Sequence, residues 1–79
     1  MRDTDLDSPT LLGRALRVLR KQAGLTQEEL AARLGAHPTF VGRLERGLRG
    51  AHWRTVMRIL VALGADLHQL ADAIEQAKR

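Results

Sequence analysis

A chain of 79 residues with a formal charge of +4 and no cysteine amounts to one small domain, with disulfides and thiolate metal sites excluded. A core of this size is marginal alone, because a chain of about 60 residues buries only about 60% of its unfolded surface, so pairing with a second copy would add stability. No apolar run approaches the roughly 20 residues of a membrane span, and the first nine residues carry Asp3, Asp5 and Asp7 rather than a basic signal start, so a cytoplasmic protein with no membrane partner is expected.

Charge is unevenly spread. Residues 10–64 hold ten basic side chains against Glu28, Glu29 and Glu45, a local charge of +7 between weakly acidic ends. Such a body suits a polyanionic partner.

Residues 1–7 are polar and are expected to form a flexible tail. The first helix is expected to start at Ser8, with Pro9 in the tolerated first position and Leu12, Leu16 and Leu19 on its apolar face. Thr26 begins the second: its hydroxyl can cap the backbone, Glu29 can reach back, and Leu25 can staple onto Leu30. A short turn leads to a third helix with His37 as an unusual cap and Pro38 first. The fourth runs from about His52 or Trp53 to Leu63 and is expected to bury Trp53, Val56, Ile59, Leu60 and Leu63. The fifth follows Asp66 and sets Leu67, Leu70, Ala71 and Ile74 on one stripe, which is the expected homodimer surface together with part of the fourth helix. Gly24, Gly35, Gly47 and Gly64 each follow a helical segment, as helix-ending glycines do. No alternating run suggests a strand. The fold class is all-α, with five helices.

Two short helices joined by a glycine turn, the second ending in arginines, form a helix-turn-helix able to push one helix into the DNA major groove. The stretches LRVLRKQAGLTQEELAARLG, VGRLERG and TVMRILVALGADLHQL resemble the Cro/CI-type (XRE) helix-turn-helix family over residues 12–70. The resemblance implies a lambda-repressor-like DNA-binding domain over residues 8–79 and double-stranded DNA as partner. Position by position, it implies that Gln27 binds a phosphate at a helix N-terminus, where free N–H groups favour an anion. It implies that Pro38, Thr39, Phe40 and Arg43 read bases; an arginine on two guanine acceptors gives about 1–3 kcal/mol of discrimination. Arg46 and Arg49 match backbone or groove contacts. Arg20 and Glu45 match a pair that ties the first helix to the recognition helix. His37, Pro38 and the Ala51-His52-Trp53 opening of the fourth helix depart from the family pattern, which leaves that last cap weak. Gly42 inside the recognition helix costs about 1 kcal/mol against alanine.

The expected function is a homodimeric, sequence-specific transcriptional regulator on a near-palindromic operator. TFVG with the later ERG-x-R also resembles the controller proteins of restriction–modification systems. An antitoxin that binds a toxin and its own promoter, and a helical module that binds only protein, are the alternatives. A toxin or RNA polymerase are candidate further partners. Catalysis finds no support: Ser8 is the single serine, and Glu28 and Glu29, being adjacent on a helix, point in different directions. No cofactor is expected, and His68 with Asp72, four residues apart, makes too few ligands for a metal.

Overall fold

In a computed structural model describing residues 8–79, the chain forms five helices: α1 (Pro9–Gln22), α2 (Gln27–Leu34), α3 (Pro38–Glu45), α4 (Trp53–Leu63) and α5 (Leu67–Ala77). No strand occurs among the described residues. The expected tail, residues 1–7, lies outside the described residues.

Local chemistry sets the boundaries. The Ser8 hydroxyl accepts the Leu11 N–H, and Pro9 opens α1. At α2 the reciprocal box is complete: Glu29 N–H donates to Thr26 Oγ1 at 3.0 Å, and Thr26 N–H donates to the Glu29 carboxylate at 2.8 Å. These bonds hold the Glu29 carboxyl below its ordinary value, the Thr26 backbone contributing most. α5 starts on a second such box, Asp66 with Gln69. His52 makes no side-chain cap at α4, as its departure from the family pattern implied. Gly35 ends α2 in the left-handed region at φ 66°. The Ala36 N–H then returns to the Ala31 carbonyl at 2.9 Å, so the chain reverses within three residues and α3 begins at once.

α1 packs on α5 and α3, while α2 packs on α3 and α4. Leu16, Leu30, Val41, Ile59 and Leu60 are fully buried, each contributing about 1.5–3 kcal/mol relative to exposure. Leu70 and Ala73 of α5 close this core from below α1.

Two close approaches fix α1 against α3. A Cβ on Gly13 would press on the Leu44 carbonyl oxygen and come within 2.8 Å of the Glu45 oxygen. One turn earlier, Thr10 lies against Gly47, whose φ of 73° favours glycine as well. A second fastening joins α2 to α4. Arg33 donates to the Ala62 carbonyl at 2.8 Å, and Arg58 donates to the Leu34 carbonyl at 2.7 Å. Each guanidinium satisfies a carbonyl that the last turn of the opposite helix leaves unpaired.

Two expectations require correction. Trp53, expected in the core, is 63% exposed. It stands four residues before Met57 and eight before Val61, on the flank of α4, away from the buried Val56–Ile59–Leu60 face. Leu70, expected on the dimer stripe, is 7% exposed and belongs to the monomer core. The stripe divides because Leu70 and Ala73 turn under α1, leaving Leu67 and Ala71 exposed and Ile74 half-buried.

Candidate nucleic-acid interface

α3 buries Val41, Gly42, Leu44 and Glu45 and exposes Pro38, Thr39 and Arg43, with Arg46 exposed at its C-cap. Thr39 and Arg43 are four residues apart and therefore neighbours on one face. The exposed face is the one the resemblance assigns to DNA.

What holds that face still is a buried polar cluster at the far end of the helix. Arg20 Nε donates to Glu45 Oε2 at 2.6 Å and Nη2 to Oε1 at 3.1 Å, with the two side chains 9% and 3% exposed. Arg20 Nη1 donates to the Leu25 carbonyl at 2.7 Å, and Gln27 Nε2 donates to Glu45 Oε1 at 3.0 Å. One carboxylate thus joins α1, the start of α2 and the end of α3. The hydrogen bond to Glu45 raises Arg20 above its ordinary value, and burial opposes that rise. The pair is structural.

Gln27 therefore does two things. One amide N–H holds Glu45; an amide nitrogen carries two donors, so the other stays available at the N-terminus of α2. Its Oε1 lies 3.4 Å from where a Gly42 Cβ would sit, an ordinary contact distance. Glu28 and Glu29 in the same turn oppose the attraction of the helix dipole for an anion.

At the other end of α3, His37 Nδ1 accepts the Thr39 N–H at 3.2 Å and lies 2.8 Å from the Thr39 hydroxyl oxygen. Both contacts fall on the same ring nitrogen, so the direction of the hydrogen bond to the hydroxyl follows the imidazole tautomer.

Phe40 is half-buried and packs against the core. The Arg49 guanidinium stands over its ring, 4.8 Å from the centroid, so the ring supports a cation from the following loop. Arg43, Leu48, Arg49 and Gly50 line an open concavity of about 550 Å³ beside the recognition helix. Leu48, absent from the sequence-based set, is 67% exposed there. An apolar side chain between arginines in a loop was the signal available. Pro38, Thr39, Arg43, Arg46 and Arg49 are exposed, Arg43 and Arg49 on the same concavity, while Phe40 and Gln27 are half-buried. Of the remaining arginines, Arg58 is committed to the Leu34 carbonyl, and Arg14, Arg17 and Arg54 are exposed. No group of three His, Asp or Glu side chains suited to a metal gathers among the described residues.

The sequence profile of the helix-turn-helix domain family matches residues 11–73. Two HTH-type transcriptional regulators of Sinorhizobium fredii are similar to the chain along most of its length. One, y4dJ, is 34% identical over 71 residues, covering 90% of this chain and 92% of that one. The other, y4mF, is 33% identical over 66 residues, covering 84% and 87%. Among solved structures, the clp gene regulator ClgR from C. glutamicum matches with a TM-score of 0.75 at 33% identity, over 89% of this chain and 86% of that one. The restriction–modification controller protein C.AhdI from Aeromonas hydrophila matches with a TM-score of 0.72 at 34% identity, over 78% of this chain and 94% of that one.

Proposed function

The chain belongs to the helix-turn-helix domain family, and from that membership we propose that it is a sequence-specific DNA-binding transcriptional regulator, acting as a homodimer on a near-palindromic operator. The observation that carries the reading is the exposed face of α3, braced from behind by the Arg20–Glu45–Gln27 cluster. On this reading Thr39 and Arg43 read bases, Phe40 supports Arg49 and meets a base with its free edge, and Pro38 reads shape or a methyl group. Gln27, Arg46 and Arg49 fix register on phosphates. Two-fold symmetry sets the half-sites about 34–36 Å apart, one turn of DNA. Leu67, Ala71 and Ile74 form the dimer surface, with Leu70 withdrawn from it. The protein binds rather than catalyses, needs no cofactor and works in the cytoplasm.

A selection on random duplexes tests this directly. A palindromic consensus is expected. Arg43→Ala should flatten preference at one position of each half-site by about 1–3 kcal/mol, whereas Gln27→Ala should weaken binding to all sequences alike. Absence of duplex binding even at low salt would refute the proposal.

The match to C.AhdI, covering 94% of that chain, favours one narrower version: control of a restriction–modification operon by a stand-alone domain. Coding neighbours for a methyltransferase and an endonuclease would support it, and their absence would oppose it.

A further inference from the structure

α4 presents a second face, of which Met57 packs partly against the core and the rest is exposed. Trp53, Met57 and Val61 recur every four residues along it, and Val61 is 78% exposed. Between this flank and the end of α2 runs a groove of about 420 Å³, with Leu34, Met57 and Val61 as its floor and Arg33, Arg54 and Arg58 as its rim. No carboxylate lines it. Two carboxylates lie four residues from the lining, and both cap helices: Glu29 accepts the Thr26 N–H and Asp66 the Gln69 N–H.

We propose that this groove docks an acidic amphipathic helix of another protein, its aliphatic residues on the Met57–Val61 floor and its carboxylates on the three arginines. The charge pattern selects that occupant. Arg33 and Arg58 are held at the rim by the carbonyls of Ala62 and Leu34; a neutral carbonyl cancels none of their charge, and only Arg33 feels a carboxylate, that of Glu29, without an ion pair. Their geometry is already set, so little side-chain freedom is lost when a carboxylate arrives. A second copy of this chain is a poor occupant. An isologous contact through this face brings like patches together, arginine rim against arginine rim, with no carboxylate between them. A DNA phosphate would meet the rim but gain nothing from the exposed aliphatic floor, whereas an amphipathic helix uses both. The groove is separate from the exposed face of α3 and from Leu67, Ala71 and Ile74. None of the residues lining the groove belongs to α3 or α5, so this inference stands whether or not the chain binds DNA.

The test uses the full chain and a synthetic helical peptide with leucines at four-residue spacing flanked by glutamates. Trp53 is the single tryptophan and adjoins the rim residue Arg54, so its emission reports docking, and backbone amide shifts map it. Saturable binding that centres on residues 54–62 is expected. Arg54→Glu, on an exposed side chain with no structural bond assigned to it, should weaken it by at least about fivefold, and Val61→Ser should weaken it too. A peptide with lysine for glutamate should not bind. Equal binding of a glutamate peptide lacking leucines would overturn the proposal, since that is counterion attraction only. So would emission that depends on protein concentration without peptide, indicating a second copy. Displacement of the peptide by duplex DNA, with amide shifts at the same residues, would assign the groove to phosphate instead.

Discussion

Arg20→Met is the most demanding test of how the recognition helix is held. The substitution removes three hydrogen bonds, two to Glu45 and one to the Leu25 carbonyl. It leaves a carboxylate whose side chain is 3% exposed with only Gln27 as a donor. An exposed ion pair is worth about 0–1 kcal/mol, but a buried charge stripped of its partner costs about 3–5 kcal/mol. The burial on both sides puts this pair in the second class. In a domain of this size 1 kcal/mol moves Tm by about 4–8 °C, so a drop of at least about 12 °C is expected by calorimetry, with a matching fall in the urea midpoint. The double variant Arg20→Met/Glu45→Leu removes both charges and should be less destabilised than Arg20→Met alone, giving a clear coupling in a double-mutant cycle. A loss below about 1 kcal/mol, or one that high salt abolishes, would place the pair on the surface and refute the bracing of α3 by this cluster.

Three further outcomes follow from the packing. Gly13→Ala should destabilise by about 1–3 kcal/mol in urea unfolding, because backbone carbonyls rather than a yielding side chain meet the new methyl; an unchanged midpoint would mean α1 and α3 can separate freely. Leu70→Glu should unfold the monomer, since it buries a charge in the core, whereas Ala71→Glu should keep the helical circular dichroism and yield monomers in sedimentation. A folded, dimeric Ala71→Glu would move the dimer surface away from α5. The cap of α2 should also respond to acid. Because the folded state lowers the Glu29 carboxyl, its contribution is present above the ordinary glutamate range and is lost as pH falls through the lowered value. The Thr26 amide resonance should therefore titrate below a glutamate in an unstructured peptide; a midpoint at or above that of the peptide would mean the reciprocal box is open in solution.

Much of the fold around the candidate interface was legible because its signals are local. Thr26 with Glu29, Pro38 behind His37, and the spacing of Thr39 and Arg43 all act within one turn of helix. What escaped the sequence was always a relation between helices. Gly42 attracted attention for its helix propensity, yet a methyl there meets only Gln27 at an ordinary distance, while Gly13 is jammed against the backbone of α3. Arg33 and Arg58, both exposed, clasp α2 to α4 through carbonyls 29 and 24 residues away in the chain. Phe40 and Arg49 lie nine residues apart and meet only because the loop after α3 folds back over the ring.

The sequence by itself therefore determined five helices, their starts and stops, and which two form the helix-turn-helix, since caps, αL glycines and apolar periodicity depend on neighbours three or four residues away. Tertiary structure alone decided which flank of each amphipathic helix is covered. Trp53 and Leu70 exchange their expected places because an apolar stripe is wider than the contact it makes, and the position of the next helix selects the part that leaves water.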